Sequence, residues 1–477
     1  MGDDRGLRRR DDRRRNPRRD LPGASCVTTE HPQGAAVRVN EAALPTSAVS
    51  RASRLGHRCR RLGALARTEA GLVRGSLFVV ALHVVDDTLL QPQPGTSAGD
   101  HLASALIPLT VLLVVAALYP RLRPGLRATL AALLGVFGLV TGIEAVYYAR
   151  AGQLSGDDYT GLAAIPAGIV LLSIAVVTLW RSRRIDDRLA WRYLRRLLLV
   201  VAAVVATYAF VGPFLAAYVL THTARAFVPD DRVGAEHENV SFRTADGLTL
   251  RGWYVPSKNG AAVISFPGRK GSQKPARFLA AHGYGVLLFD RRGEGESEGD
   301  PNGWGWEGYR DVDAAVAFLR RRADVEDARI GGIGLSVGGE MMLEAAARSR
   351  GLKAVVSEGA GERSVREVLD MTTGDKWLSA ASYGVLSAGI ALFANHTPPP
   401  SLKDLVGRIA PTPVFFIYGE HGQAGERNLN PKYFAAANAP KLIWQVPGSG
   451  HVGAIRAEPR EYQRRVLRFF DRVLLAP

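Results

Sequence analysis

Residues 76 to 220 of this 477-residue chain hold a series of apolar segments centred near residues 84, 111, 137, 170 and 208, and nothing else in the sequence limits the fold as tightly. A bilayer has no water to satisfy backbone N–H and C=O groups, so a segment of this kind crosses it only as a helix. Leu126 to Tyr148, Leu162 to Trp180 and Leu197 to Leu220 each reach across a hydrocarbon core about 30 Å thick at about 1.5 Å of rise per residue. Leu102 to Tyr119 is long enough as well. Ser76 to Leu90 is the weakest segment, because His83, Asp86 and Asp87 interrupt it. Pro213 is expected as a tolerated kink. These segments predict a membrane domain of about five transmembrane helices over residues 71–225.

The formal charge is +16, and most of the excess lies before residue 225, in an arginine-rich tail and two short loops. Those loops, residues 120–127 and 181–196, alternate with Gln91 to His101, which has no lysine or arginine, and with Ala151 to Thr160, which carries Asp157 and Asp158. The positive-inside rule then places the N-terminus in the cytoplasm and everything after Thr221 on the outer side of a multi-pass cell-membrane protein. Basic charge set between apolar spans suits a lipid bilayer and argues against a nucleic-acid partner. Residues 1–70 read as a disordered basic tail, since Arg8 to Arg15 has no apolar face to bury and Pro17, Pro22, Pro32 and Pro45 break up the rest of the segment. The first apolar run comes too late for a cleaved signal peptide. Cys26 and Cys59 both fall in the tail, so the C-terminal half holds no disulfide framework or thiolate metal site.

His83, Asp86, Asp87, Asp100, His101, Glu144 and His222 lie near the outward ends of the apolar segments. Ionisable groups at membrane depth mark functional candidates. They form either a metal or proton site, with His83, Asp86, Asp87 and Glu144 its members, or charges that reach headgroup water.

From residue 238 the pattern changes to short strands alternating with helices. Asn239 to Thr244 and Leu248 to Val255 make an antiparallel pair around Asp246-Gly247. Apolar strands come next at Ala262 to Phe266, Gly285 to Asp290, Ile330 to Leu335, Ala354 to Glu358, Val414 to Tyr418 and Leu442 to Val446. The alternation predicts an α/β domain with a mostly parallel sheet, whose functional groups gather at the carboxyl ends of its strands. At one such end stands Gly334-Leu335-Ser336-Val337-Gly338, a serine between glycines where a strand turns into a helix, the pattern of a nucleophile elbow. A phosphate-binding glycine loop is the plainer alternative. Pro267-Gly268-Arg269-Lys270-Gly271 comes after the third strand, Asp290-Arg291-Arg292-Gly293-Glu294-Gly295-Glu296-Ser297 after the fourth, and Pro447-Gly448-Ser449-Gly450-His451 after the last.

With those motifs, residues 235–477 resemble the α/β-hydrolase superfamily, in particular its serine-aminopeptidase-like and esterase-like branch. The resemblance implies Ser336 as nucleophile, His451 as general base, and backbone amides of Arg269 and Val337 as an oxyanion hole. It implies that Asp290 and Arg292 brace their turn; the Arg269 side chain is large enough to meet an anionic substrate as well. It implies no metal and no organic cofactor, and a small-molecule or acyl substrate. The sequence departs from the family at the acid. The place where an aspartate is expected, shortly after the strand Val414 to Tyr418, is taken by Gly422. Glu426, then Glu420, then Glu358 are the replacements in order of preference. Residues 360–410 are too many for a simple connection and include the apolar run Ala380 to Ala394, read as a lid or as a packing helix.

The function implied is a membrane-anchored serine hydrolase that cleaves an ester, thioester or amide outside the cytoplasm. An acyltransferase acting on an envelope component, or a degenerate hydrolase domain used as a binding or sensing module, are the alternatives. Substrate identity and oligomeric state are not encoded in these motifs.

Overall fold

Apolar length sets the N-terminal half. The computed structural model describes residues 68–476 apart from 94, 152–155, 157, 183–188 and 224–227, so the basic tail, both cysteines, Asp157 and part of the second basic loop lie outside the described residues. The described residues belong to one compact unit, Arg61–Pro477. Its helices begin with α1 (Glu69–Val85), α2 (Leu102–Leu118), α3 (Pro124–Ala151), α4 (Asp158–Arg181), α5 (Leu189–Ala206) and α6 (Gly212–Thr221). Helices α5 and α6 run on through a π turn, Thr207–Val211. Among the described residues, four stretches are long and apolar enough to cross a membrane: Leu102–Arg121, Pro124–Tyr147, Asp158–Arg181 and Trp191–Thr221. The weakest segment, α1, is not among them. It opens on Thr68, whose hydroxyl accepts from Gly71 N at 3.1 Å, and ends in a π turn, Asp86–Leu90. Its Val73, Leu77 and Val80 pack with Leu171 and Ile174 of α4 inside the bundle.

The second half is one eight-stranded sheet in the order β1-β2-β4-β3-β5-β6-β7-β8. The strands are β1 (Glu238–Arg243), β2 (Thr249–Val255), β3 (Ala262–Phe266), β4 (Gly285–Phe289), β5 (Ile330–Leu335), β6 (Ala354–Glu358), β7 (Val414–Gly419) and β8 (Lys441–Val446). Only β2 pairs antiparallel with its neighbours β1 and β4; the rest of the sheet is parallel. Strands β3 to β6 are buried along their whole length, as expected of strands covered on both faces. Side chains alternate between two cores: Ile264, Phe266, Leu287 and Phe289 enter one, Val263, Val286 and Leu288 the other.

The covering helices are α7 (Lys274–Ala281), α8 (Gly308–Leu319), α9 (Val337–Arg348), α10 (Val365–Asp370), α11 (Lys376–Phe393), α12 (Leu402–Leu405), α13 (Ala424–Ala436), α14 (Ala454–Ala457) and α15 (Pro459–Phe470). The chain runs β3 to β4 on one side, then returns to β5 on the other side of β3. That reversal opens a crevice at the carboxyl ends of β3 and β5, where open α/β sheets place their sites.

The crevice edge rests on the bundle. Phe393 of α11 meets Phe214 and Tyr218 of α6 at ring separations of 5.3 and 5.4 Å. Gly389 lies so close that an added Cβ would come within 2.5 Å of the Ala217 methyl. Gly303 N donates to Leu220 O at 3.1 Å. The apolar run of residues 380–394 is thus the seam between the α/β half and the membrane helices.

Candidate active site

Strand β5 ends at Leu335, and Ser336 turns the chain into α9 with φ 54° and ψ −125°. A side chain seldom tolerates this backbone, and a strained residue at a strand–helix turn is where a reactive group is held out of the fold. The flanking glycines are needed because the turn closes on itself. A methyl group on Gly334 would strike the Gly338 carbonyl, and one on Gly338 would come within 2.6 Å of the Phe266 ring. Ser336 N donates to Glu358 O at 2.7 Å, which ties the elbow to β6.

His451 arrives from the loop after β8. Its Nε2 lies 2.9 Å from Ser336 Oγ, and its Nδ1 lies 2.7 Å from Glu426 Oε2. The loop is braced from β7: His421 N donates to Ser449 O at 2.8 Å, and Gly448 N donates to Glu420 Oε2 at 2.9 Å. Glu426 stands in the first turn of α13 and is 1% exposed. Its second oxygen accepts from Gly419 N at 2.8 Å, so both oxygens are held. A carboxylate fixed in this way keeps the imidazole in the tautomer with Nδ1–H toward the acid and Nε2 open toward the serine.

Of the three carboxylates considered from sequence, the structure brings one to the histidine. Glu420 is spent on Gly448 N. Glu358 is buried beside the pair, and its Oε1 accepts from Ala454 N at 3.1 Å. Burial pushes the Glu358 carboxyl up to about 7. Gly422 explains the missing aspartate, since a side chain there would fall into the space the Glu426 carboxylate occupies. The carboxylate that meets the histidine is carried on the helix rather than at the loop position where the family pattern expects it.

Val337 is the first residue of α9, and Arg269 lies in a 3₁₀ turn, Gly268–Lys270, directly after β3. Because Phe266 pairs opposite Gly334, this turn sits beside the start of α9. The Arg269 side chain differs from the expectation that it meets substrate. It is buried, its Nε donates to Asp290 Oδ2 at 3.1 Å, its Nη2 reaches Asp290 and Glu296, and it lies over the Trp253 ring at 5.5 Å. Two carboxylates already neutralise it. Arg292 is a brace too, donating to Asp311 Oδ1 and Asp246 Oδ2, both at 2.9 Å.

Sequence reasoning gave no part to Arg363, Glu340 or Glu344. Arg363 is buried under α11, with Nη1 2.6 Å from Glu344 Oε2 and Nε 3.4 Å from Glu340 Oε2. Glu340 Oε1 accepts from Gly361 N at 3.1 Å. The group pins the loop after β6 to the helix that begins at the elbow. Its one sequence signal is an arginine close behind a buried strand.

The membrane-level ionisable groups form a separate cluster. Thr160 Oγ1 lies 3.2 Å from His83 Nδ1 and donates to Asp86 Oδ2 at 2.8 Å, and Tyr218 donates to Glu144 Oε2 at 2.8 Å. His222 faces Asp87 at 3.4 Å, and His101 faces Asp300 of the α/β half at 3.4 Å. Asp100 caps its own turn through Ser97. Among the described residues, no three His, Cys, Asp or Glu side chains are grouped as metal ligands.

The X-Pro dipeptidyl-peptidase (S15) family matches residues 221–408, a range that holds Ser336 but stops short of Glu426 and His451. A polyketide transferase, grgF, of a Penicillium species is 36% identical over 289 residues, covering 49% of this chain and 96% of the relative. An uncharacterized protein of Mycobacterium tuberculosis is 31% identical over 220 residues, covering 45% of this chain and 72% of its own. The solved structure of an esterase of Pyrococcus furiosus aligns with a TM-score of 0.43 at 22% identity, over 53% of this chain and 98% of the esterase. With that 36% identical relative spanned almost end to end, a Penicillium protein whose solved structure is described as an α/β hydrolase, the chain belongs to the α/β-hydrolase superfamily.

Proposed function

We propose that the protein is a membrane-anchored serine hydrolase that cleaves an ester, thioester or amide outside the cytoplasm. The observation that carries the proposal is the relay of two short contacts, Ser336 Oγ to His451 Nε2 at 2.9 Å and His451 Nδ1 to Glu426 Oε2 at 2.7 Å. His451 takes the hydroxyl proton as Ser336 Oγ attacks the acyl carbon. The backbone amides of Val337 and Arg269 receive the developing oxyanion, a contribution of about 3 kcal/mol for one such donor. His451 then passes the proton to the leaving group, which departs from an acyl-enzyme. Water repeats the sequence to release the acid.

Two features support anchoring and side. Among the described residues four stretches have the length and apolarity of spans, and the basic loops alternate with loops that carry no lysine or arginine. The loop before α2, which carries no lysine or arginine, touches the α/β half through His101 and Asp300, as two segments on one side of a bilayer would. A binding module without catalysis drew its support from the displaced acid; the 2.7 Å contact of Glu426 Oε2 with His451 Nδ1 favours catalysis over it.

A second reading, acyl transfer to an acceptor other than water, is favoured by the transferase among the relatives. The same residues serve both. The test is labelling of the purified full-length protein with a fluorophosphonate. Ser336 is expected to carry the adduct, and Ser336→Ala to abolish both labelling and ester cleavage. Wild-type protein that stays unlabelled while a control hydrolase reacts refutes the proposal. Product analysis with and without added acceptor separates hydrolysis from transfer.

A further inference from the structure

An apolar cavity of about 430 Å³ lies between the membrane helices and α11. Its size falls in the range of about 300–1,000 Å³ usual for small-molecule sites. The walls are apolar throughout, with Val111 of α2, Leu133 of α3, Phe214 of α6 and Val385 of α11 representing its four sides. A site with no hydrogen-bonding group selects hydrocarbon and nothing polar.

Two backbone irregularities border the cavity. Pro108 interrupts α2, and the π turn Thr207–Val211 separates α5 from α6. A proline removes one backbone donor from the helix ladder and a π turn widens it, and single π turns recur at functional sites. The cavity opens sideways: Val111, Leu133 and Phe210 on its rim are 50, 40 and 56% exposed, on helices that cross the membrane. In a bilayer, lipid tails surround such a rim. The fourth wall, α11, belongs to the α/β half, so the cavity joins lipid to that half.

Apolar packing continues from the cavity toward the nucleophile. Phe214 and Phe393, which line it, pack with Trp306 and Trp304 in one cluster. Between those tryptophans, an added Cβ on Gly305 would come within 2.6 Å of the Val337 side chain, next to Ser336.

We propose that this cavity is the docking site for an acyl chain of a bilayer lipid, which enters sideways from the membrane and brings its carbonyl linkage to Ser336. The docking site stands on the cavity alone; only the identity of the cleaved bond rests on the serine-hydrolase reading above.

The test uses the full-length protein in phosphatidylcholine–phosphatidylglycerol vesicles containing a phospholipid with a diazirine midway along one acyl chain. After irradiation, adducts are mapped by mass spectrometry in the wild type and in Val211→Trp and Val385→Trp, which fill the cavity from two different elements of its lining. Adducts are expected on α11, which is not a span. Each filling variant should reduce them about tenfold relative to adducts on lipid-facing Leu198, the loss expected when two or so methylenes forfeit burial. Val176→Trp, on a lipid-facing surface away from the cavity, should leave the ratio as it is. Adducts confined to Leu198, Val176 and similar faces, or α11 adducts that survive both fillings, overturn the proposal.

Activity supplies an independent arm. The filling variants should lower the ratio of long-chain to acetyl ester cleavage by about tenfold, and an unchanged ratio in both counts against a productive site. Fluorophosphonate labelling of each variant reports that Ser336 is still folded in place. A wild type that neither cleaves nor labels sinks the hydrolase reading, and the cross-linking arm still decides the docking site.

Discussion

Replacing Glu426 by glutamine removes one proton-accepting atom and almost no volume. Glu426 Oε2 sits 2.7 Å from His451 Nδ1 and Oε1 2.8 Å from Gly419 N. In Glu426→Gln the oxygen stays on Gly419 N, so the amide NH₂ faces Nδ1 and must donate to it. The imidazole then carries its proton on Nε2, where it blocks acceptance from Ser336. Wrong-tautomer variants of this kind lose about 10⁴ in kcat, or about 5 kcal/mol of transition-state stabilisation. KM should change little, because the carboxylate does not touch substrate.

Glu426→Ala should lose a comparable factor and also strip the buried Gly419 N–H of its acceptor, at about 1–3 kcal/mol of stability. Gly422 supplies the sharper half of the test. In the wild type, Gly422→Asp drives a side chain into the Glu426 carboxylate and should lower activity. In the Glu426→Ala background the same aspartate enters the vacated space and should restore about tenfold or more of the lost rate, as neighbours sharing one site are strongly non-additive. The assay is kcat and KM for a soluble acetyl ester at neutral pH, with thermal unfolding beside it. A Glu426→Gln enzyme within about tenfold of wild type refutes the role given to this carboxylate. Gly422→Asp effects of the same sign in both backgrounds refute the account of its displacement.

Arg363→Met should destabilise the protein by about 3–5 kcal/mol, read as a lowered midpoint of thermal unfolding, because it leaves the buried Glu340 carboxylate without its cation and Glu344 with Arg348 alone, at 2.8 Å. Adding Glu340→Leu should recover part of that loss. Glu358 makes a pH-dependent prediction. Burial raises its folded carboxyl to about 7 from 4.5, so the folded state holds this proton more tightly than the unfolded chain. The stability it contributes is fully present below about pH 4.5 and is lost as pH rises through about 7, of order 3 kcal/mol in all. Glu358→Gln keeps the acceptor for Ala454 N and should flatten the stability profile across that window; an unchanged slope refutes the assignment.

Much of this was legible in the chain as written. Apolar length marks a membrane helix because the bilayer imposes its own thickness, and strand–helix alternation marks a covered parallel sheet because each periodicity is local. Ser336 and His451 could be named for the same reason: one lies between glycines at a strand end, the other in the glycine-bounded loop after the last strand. Three things were decided by packing across the fold. Which carboxylate meets the imidazole depended on the path of a loop whose ends are fixed by different strands, and spacing alone favoured Glu426 without excluding Glu420 or Glu358. The Arg269 side chain turned from substrate to Asp290 and Glu296, partners more than twenty positions away. Helix α11 became the seam with α6, because the apolar run Ala380 to Ala394 shows that something must cover it but not what. A sequence carries the preferences of neighbours along the chain, and contacts between distant segments exist only once the whole fold brings them together.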